Sequence, residues 1–543
     1  MAKVRFFYCA HHRLASKHGP GNSPHTASIQ ILDDDSLLNI FYLYRPAIFD
    51  GDEGDIVRNL GGKEWDRERW WYKLAHVCQR WRNLILGSAS YLGLCLVCTH
   101  GTPVAEMLEH SPPLPLIIDY LQIDTDLDIT AEEEEGIILA LGKNDRIHRV
   151  RLRMSVPNMQ KLVVAIVEEY PVLEYLILLP SSPSTNASMM LPETLQAPHL
   201  RHLLLKGFAF PLGPRLFMSA VDIVAFYLLI DHPSAYVEPN TLLQWISSMP
   251  QLETLRIIFI FPVPNDDVEE QLMLAPIMTH VTSPNLRCFE FQGASAYMEA
   301  VVHHTTAPRL ERLRVEFFLQ HTLFVPSLLQ FMDTSENLRF DSATFEFSKN
   351  WVSVEVYLRE KAKVHALSMN VLCWYLDLQV SCMAQIFNSL SQSLPTVEHL
   401  TLEHKEVPQE HGQDVPAVDR TVLAEWSRTE WRKLLRSFSN VKTLRVDDGL
   451  VEELSGCLRL DDGEPPLELL PELRMLTYSG SGETRDAFTS FIKTRQMAGR
   501  PVTLIPLIPE SVAPPSHSAS QEFLESSSAI ASGSGEAGSD LDT

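Results

Sequence analysis

Leucine and other large apolar residues recur along the chain in a degenerate repeat, in which a small residue or proline precedes the pattern L-x-x-L-x-L. The first apolar position of each repeat falls 23–34 residues after that of the last, with one gap of 44. The good copies are YPVLEYLIL (170–178), APHLRHLLL (197–205), MPQLETLRI (249–257), SPNLRCFEF (283–291), APRLERLRV (307–315), LPTVEHLTL (394–402), FSNVKTLRV (438–446) and LPELRMLTY (470–478). Weaker copies are NDRIHRVRL (144–152), AVDIVAFYL (220–228), SENLRFDSA (335–343) and KAKVHALSM (361–369).

The L-x-L pair of each repeat predicts a short β-strand with alternate residues pointing inward, and the leucine three places earlier packs the preceding turn. Helix-compatible segments such as MQKLVVAIVEEY and NTLLQWISSM lie between the repeats. One strand and one helix cannot bury their apolar faces alone, whereas stacked repeats share a continuous core. The pattern therefore predicts an α/β fold in which strand–helix repeats stack as a curved solenoid.

In this pattern the chain resembles the leucine-rich-repeat family over residues 144–480, and PLPLIIDYLQI (113–123) is a candidate for an earlier start. The resemblance implies a horseshoe-shaped solenoid, to which we assign residues 101–506. The family's asparagine after the strand is missing from most copies, so we expect individual repeats to be distorted.

Two amphipathic helical patterns precede the repeats. In LDDDSLLNIFYLY (32–44), Asp33–Asp35 and Ser36 supply capping oxygens and negative charge at a helix start, and an apolar stripe follows. In WWYKLAHVCQRWRNLI (70–85), apolar residues recur at steps of three and four, and the helical pattern fades after that segment. YLGLCLVC (91–98) then predicts a strand. The members of the second stripe are Trp71, Leu74, Cys78, Trp81 and Ile85.

Together these segments resemble an F-box, whose usual form is L-P-x-E-(L/I)-L-x-x-I-F, a spacer, and L-x-x-(V/L)-C-x-x-W-x-x-(L/I). Asp33 replaces the family's proline, and residues 45–69 form a long insertion, which we predict to loop out of an F-box-like helical domain at 29–100. The resemblance implies docking onto a Skp1-type adaptor and, through it, a cullin–RING ubiquitin ligase. The residues it assigns to adaptor contact or its direct support are Leu37, Leu38, Ile40, Phe41, Val77, Cys78 and Trp81. The alternative is that several of them only hold the helical domain together.

A second candidate surface is the concave face of the solenoid, towards which the residues flanking the strand leucines should point. These residues are Tyr175, His202, Lys206, Arg256, Glu290, Arg312, Arg314, His399 and Arg445. A mixed polar and aromatic set suits recognition of a protein substrate, and a solvated sheet face has the same composition. We treat them as candidate substrate-binding residues.

Charge and cysteine content narrow the class of protein. The formal net charge is −24, from 45 Lys and Arg against 69 Asp and Glu, and no Lys/Arg run is present that would suit a nucleic-acid partner. Eight cysteines in 543 residues are typical of reduced thiols in the cytoplasm or nucleus. No apolar stretch is long enough for a membrane span. Residues 1–28 predict a disordered leader, and residues 507–543 a disordered acidic tail rich in Ser, Pro and Gly.

Candidate chemistry is weak by comparison. Cys95 and Cys98, with His100 close by, have the spacing of half a zinc site, but no second pair accompanies them. Cys78 lies in the middle of an apolar stripe, which favours packing over reactivity. The pairs His11-His12 and His303-His304 are expected at the surface, and no nucleotide-binding, hydrolase or metalloprotease motif is present.

The sequence thus predicts a non-enzymatic, cofactor-free substrate-recognition subunit of an SCF-type ubiquitin ligase. In this reading, the F-box recruits the adaptor and the repeats select an unknown protein substrate. The main alternative is a leucine-rich-repeat interaction scaffold whose F-box-like helices only cap the repeats. A hydrolase with a polar cleft is a third and less favoured hypothesis.

Overall fold

The structure is a computed structural model that describes most of the chain in two compact lobes. The described residues are 32–46, 68–121, 128–166, 169–181, 189–210, 215–260, 278–318, 325–335, 337–338, 340–358, 365–373, 375–390, 396–405, 420–459, 468–479 and 486–507. The predicted leader, residues 47–67 of the predicted insertion and residues 508–543 of the predicted tail lie outside them. The N-terminal lobe extends to Leu338 and the C-terminal lobe begins at Phe340.

The N-terminal lobe opens with a group of helices. They are α1 (Asp34–Tyr44), α2 (Trp70–Ala75), α3 (Gln79–Gly87) and α4 (Ala89–Leu92). The Asp33 carboxylate caps α1, because it accepts a hydrogen bond from the Ser36 amide at 2.7 Å. The helix predicted at 32–44 is therefore confirmed, with the predicted cap.

The helix predicted at 70–85 is wrong as a single element, because the chain breaks between α2 and α3. Cys78 has an extended backbone (φ −159°, ψ 168°) and is the N-cap residue of α3. Arg82 donates a hydrogen bond from Nε to the Ala75 carbonyl oxygen at 3.1 Å, which satisfies a backbone acceptor at the end of α2. The predicted apolar stripe is thus divided between two helices.

The strand predicted at 91–98 is shorter than expected. Helix α4 occupies residues up to Leu92, and Gly93 ends it in the left-handed conformation (φ 60°), which glycine adopts without a steric penalty. Strand β1 begins only at Leu96.

Parallel strands form the main sheet of the N-terminal lobe, and they pair in chain order. They are β1 (Leu96–Cys98), β2 (Leu116–Tyr120), β3 (Ile147–Met154), β4 (Tyr175–Pro180), β6 (His202–Lys206), β8 (Ala225–Ile230), β9 (Thr254–Phe259), β11 (Cys288–Gly293) and β13 (Arg312–Phe317). Two small parallel pairs join β5 (Met189–Met190) to β7 (Phe208–Ala209) and β10 (Val281–Thr282) to β12 (Thr305–Thr306).

Helices lie between most successive strands of this sheet. They are α5 (Val104–His110), α6 (Ala131–Leu141), α7 (Val156–Val164), α8 (Arg215–Ser219), α9 (Pro239–Ser247), α10 (Ser295–His303) and α11 (Pro326–Asp333), with 3₁₀ turns at Asn144–Arg146 and Pro233–Ala235. Their apolar faces pack on one another, as where Phe217 of α8 stacks on Trp245 of α9 with ring centroids 4.0 Å apart.

The core explains why leucine recurs in the sequence. In the repeat at 249–257, Leu252 lies in the turn and Leu255 on β9, and both are buried. Leu255 pairs with Phe226 on β8 and with Phe289 on β11, so one apolar row crosses the strands. Burial of such a side chain contributes about 1.5–3 kcal/mol to the free energy of unfolding. Each repeat therefore depends on its two neighbours to complete its core.

The sheet of the C-terminal lobe begins with antiparallel strands, unlike the parallel sheet of the N-terminal lobe. Its strands, in order of pairing, are β16 (His365–Leu372), β15 (Trp351–Tyr357), β14 (Ser342–Phe347), β17 (His399–His404), β18 (Thr443–Val446), β19 (Met475–Ser479) and β20 (Thr503–Leu507). Its helices are α12 (Leu376–Leu390), α13 (Arg420–Arg436), α14 (Val451–Leu458) and α15 (Thr489–Met497), with a 3₁₀ turn at Asp448–Leu450.

The weak repeats at 335–343 and 361–369 lead into β14 and β16, which do not pair in parallel with each other as stacked repeats should. Strand β15 pairs antiparallel with both β14 and β16, which makes a three-stranded meander. The segment WVSVEVY (351–357) alternates along its length and places its three valines in the core, the period expected of a strand. From β14 through β17 to β20 the pairing is parallel again.

The predicted α/β class is confirmed at the level of mixed helices and large sheets. Within the part of the chain that the structure describes, no helix has the length and apolar character needed to cross a membrane.

Candidate protein-interaction surfaces

The seven residues assigned to adaptor contact fall into two groups. Leu37 and Phe41 are buried, and the Phe41 ring meets Trp81 edge to face with centroids 4.9 Å apart. Trp81 and Leu38 are half-buried. Leu37, Phe41 and Trp81 thus pack α1 against α3. This is the alternative stated above, in which several of the seven residues hold the helical domain together.

The remaining three residues, Ile40, Val77 and Cys78, are exposed. Two further large side chains of α1 are exposed beside Ile40, Leu43 by 82% and Tyr44 by 56%. The sequence did not indicate their exposure. Positions 40, 43 and 44 share one side of a helix. We call Ile40, Leu43 and Tyr44 the α1 ridge. Cys78 does not pack in an apolar stripe as predicted, because the break before α3 turns it outward.

Arg80 fastens the start of α1 to α3. Its guanidinium donates to the Asp34 carboxylate at 2.8 Å and to the Leu32 carbonyl oxygen at 2.6 Å. At the other end of the helical group, Trp71 Nε1 donates to the Cys95 carbonyl oxygen at 3.3 Å, next to the first strand. These contacts hold the α1 ridge in a fixed position relative to the beginning of the sheet.

The residues between the strand leucines line a second face of the N-terminal sheet, as the repeats predict. Cross-strand register places them in two adjacent rows. One row is Arg149, Tyr175, His202, Ala225, Thr254, Cys288 and Arg312, and the other is Arg151, Ile177, Leu204, Tyr227, Arg256, Glu290 and Arg314. We call these two rows the inter-leucine face.

Tyr175 and His202 meet at one end of the inter-leucine face. Their rings stack with centroids 4.2 Å apart and an interplanar angle of 8°. The Arg149 guanidinium lies 4.8 Å from the Tyr175 ring and pairs with Glu68 at 3.1 Å. Burial, together with the charges of Arg201 and Arg149, lowers the pKa of His202 to about 4. The sequence predicted His202 to be an accessible contact residue. It is only 3% exposed and instead supports this surface from below.

Arg256, Glu290 and Arg314 form a charge cluster at the other end. Arg256 pairs with Glu290 at 2.5 Å, and Arg314 Nε lies 3.9 Å from the same carboxylate. The Arg256 guanidinium also lies 5.2 Å from the centre of the Tyr227 ring. Arg312 lies two residues before Arg314 on β13. It is half-buried, whereas Arg314 is exposed. Two arginines therefore share one carboxylate in this cluster, although the chain as a whole is acidic.

The centre of the inter-leucine face is apolar and buried, which the sequence did not lead us to expect. It consists of Leu121, Ile177, Leu179, Leu204, Ala225 and Tyr227, with Leu229 packed against them. Lys206 lies beside it and pairs with Asp231 at 3.8 Å. A polar surface for a partner is therefore restricted to the two ends of the face.

The last two candidates, His399 and Arg445, belong to the C-terminal lobe. His399 Nδ1 lies 2.5 Å from the Thr443 hydroxyl, and Arg445 is exposed opposite Thr401. They therefore belong to a different lobe from the other seven candidates.

Sequence reasoning missed four members of the same region. Asp119 pairs with Arg151. Arg149 lies over the Tyr175 ring, and Tyr227 lies under the Arg256 guanidinium. Arg149, Arg151 and Tyr227 flank strand positions of weak repeats, where the rule that found the other candidates also applies. The signal is weaker there because those repeats depart from the L-x-x-L-x-L pattern.

Of the two cysteines at β1, Cys98 is buried and Cys95 is partly buried. Burial is the main cause that raises the pKa of Cys95 to about 11 and that of Cys98 to about 12, and such thiols are poor nucleophiles and ligands at neutral pH. His100 pairs with Glu133 at 3.3 Å. Across the described ranges, no three His, Cys, Asp or Glu side chains form a group able to hold a metal ion.

Comparison with known proteins gives no relative from which a role could be transferred. No protein-family model matches the chain, and no curated protein sequence is significantly similar to it.

Proposed function

We propose that this chain is the substrate-recognition subunit of an SCF-type ubiquitin ligase. In this proposal the helices at 32–92 form an F-box that binds a Skp1-type adaptor, and through it a cullin–RING ligase. The strand–helix repeats form a leucine-rich-repeat-like solenoid that binds a protein substrate. The chain itself performs no chemistry, and ubiquitin transfer belongs to the other subunits.

The observation that carries the proposal is the α1 ridge. Its three large side chains project from a helix whose adjoining side is packed by the buried Leu37 and Phe41. An exposed apolar helix side on a rigid support is what a helix-in-groove contact requires. The F-box resemblance in the sequence identifies a Skp1-type adaptor as the partner.

The repeat region supports the second half of the proposal. Parallel strands follow one another in chain order with helices between them, as stacked repeats require. The charged end of the inter-leucine face presents the exposed Arg314 beside the half-buried Arg256 and Glu290. Protein partners are recognised by surfaces of this kind, in which arginine and aromatic side chains are common.

One observation favours the alternative of a scaffold without ligase activity. Trp70 and Trp71 of α2 are buried, and the preceding residue, Arg69, donates to the Val97 carbonyl oxygen at 2.9 Å. These contacts are those of a cap over the first strand. A cap and a docking site can share the same helices, so binding has to be measured.

Adaptor binding by the full-length chain tests the proposal. We expect a purified Skp1-type adaptor to bind the wild-type chain, and Ile40→Asp with Leu43→Asp to weaken that affinity at least about 30-fold. The reason is that central apolar contacts are each worth about 2 kcal/mol or more. Calorimetric titration of the chain with the adaptor measures both affinities.

The matched control is Val164→Asp on α7, because Val164 is 85% exposed and lies outside the α1 ridge. It should bind the adaptor as the wild type does. If the wild-type chain does not bind, the ligase proposal is wrong. If the ridge variant is folded and binds normally, the assigned surface is wrong.

A further inference from the structure

Two histidines from successive repeats meet beside the β10–β12 pair. His280 begins HVTSPNL (280–286) and His304 begins HTTAPRL (304–310), so they occupy equivalent positions in two closely similar stretches. The strands that follow them pair in parallel, with Val281 opposite Thr305. The Val281 amide donates to the His304 carbonyl oxygen at 2.8 Å. The backbone register therefore brings the two imidazoles together.

The distance between the two rings suits a shared metal ion. His280 Nε2 lies 3.3 Å from His304 Nδ1, and the ring centroids are 4.5 Å apart. For a hydrogen bond this distance is long. Two nitrogens bound to one tetrahedral zinc ion, at bond lengths of about 2.0–2.1 Å, lie about 3.3–3.4 Å apart. His280 is exposed and His304 half-buried, so solvent reaches the pair.

A third histidine, His303, lies next to the pair. The His303 ring packs against His304 with centroids 4.8 Å apart, and its Nδ1 lies 3.2 Å from the Ser327 hydroxyl. His303 therefore supports the His304 ring from the other side.

We propose that His280 and His304 form a binding site for a divalent late transition metal ion, for which zinc is the probe. His280 Nε2 and His304 Nδ1 are the ligands, each ring carrying its proton on the other nitrogen. Water completes the coordination, because the described residues group no third His, Cys, Asp or Glu ligand with them. Imidazole ligands select zinc, copper and nickel over magnesium and calcium. The site is independent of the proposed ligase function.

Zinc titration of the full-length chain tests this site. In a buffer that does not coordinate zinc, we expect saturable binding to the wild-type chain. We expect His280→Ala and His304→Ala each to weaken it at least about tenfold, since even indirect changes at zinc sites cost that much. Zinc should also raise the midpoint of thermal unfolding of the wild type, because it binds the folded state, and should not raise that of the two variants.

His199→Ala is the matched control, because His199 is an exposed histidine with its own partner, Asp222, at 3.2 Å. It should bind zinc as the wild type does. Unfolding without zinc shows whether the variants are folded. Equal zinc affinity in the wild type and both folded variants overturns the proposal and assigns binding to other histidines. Absence of saturable binding by the wild type overturns it as well.

Discussion

His202 shows how packing decides the charge of one side chain on the sheet. It lies on Tyr175, is nearly inaccessible, and its Nδ1 has no hydrogen-bond partner in the part of the chain that the structure describes. Protonation would place a charge there without solvation and near two arginines, which is why its pKa falls from the usual 6.5 to about 4.

This residue makes stability depend on pH. Between pH 4 and 6.5 the unfolded chain binds a proton at His202 that the folded chain does not, so the free energy of unfolding rises with pH through this window. We expect His202 to lower that free energy by about 2 kcal/mol from pH 7 to pH 5. Denaturant titrations at the two pH values measure it.

The comparison is with His202→Phe, which keeps an aromatic ring beside Tyr175 and removes the titrating group. The wild type should lose more stability on acidification than the variant, by about 2 kcal/mol. An equal loss in both proteins would mean that His202 is protonated in the folded state at pH 5, against the expectation.

At the scale of single elements, prediction succeeded where sequence signals agreed. Helix α1 has both an apolar stripe and the Asp33 cap. Prediction failed at 70–85, because helical periodicity continues across the break at Cys78 and only the tertiary contact of Arg82 with Ala75 reveals it. It failed again at 335–369, where the apolar spacing of a repeat also fits an antiparallel strand.

The start of α6 carries a further prediction. The Thr130 hydroxyl accepts from the Glu133 amide at 3.2 Å, and the Glu133 carboxylate accepts from the Thr130 amide at 3.0 Å and from the Gly101 amide at 2.9 Å. We expect Thr130→Ala to lower the free energy of unfolding by about 1 kcal/mol. Glu133→Ala should lower it by about 2 kcal/mol, because it removes the bonds from the Thr130 and Gly101 amides and the contact with His100.

Chemical denaturation measures both losses. Glu132→Ala is the control in the same turn, since Glu132 is exposed and outside the capping box, and it should change stability by less than about 0.5 kcal/mol. A smaller loss for Glu133→Ala than for Thr130→Ala would show that the Gly101 contact contributes nothing.

At the scale of the whole molecule, the proposed function assigns different partners to different surfaces. The α1 ridge is apolar and lies on the N-terminal helices, whereas the charged cluster around Glu290 lies on strands β9, β11 and β13. The repeat pattern predicted which side chains share the inter-leucine face. It did not predict the buried apolar centre of that face, because burial there depends on which side chains meet across the strands.

This division predicts that substrate binding and adaptor binding can be lost separately. Arg312→Glu with Arg314→Glu reverses charge at the exposed end of the inter-leucine face. Proteins that accumulate on the full-length wild-type chain when cullin activity is inhibited should be captured at least about fivefold less by this variant, an effect of about 1 kcal/mol. Quantitative mass spectrometry of the captured proteins measures the change.

Adaptor binding by the same variant should be unchanged. A control for charge reversal nearby on the chain is Arg309→Glu, because Arg309 is exposed in the turn before β13 and contacts Asn285 at 3.1 Å. Normal capture by the double variant would show that substrates bind elsewhere.

The break that turns Cys78 outward has a practical consequence for labelling. Cys98, Cys373, Cys382 and Cys457 are buried, and Cys95 and Cys288 are partly so, whereas Cys78 is exposed beside Val77. In a Cys9→Ser background, because Cys9 lies outside the described residues, a maleimide dye should react first at Cys78. A fluorophore there sits at the junction of the two helices that follow the α1 ridge, and its emission can report the arrival of a partner in real time.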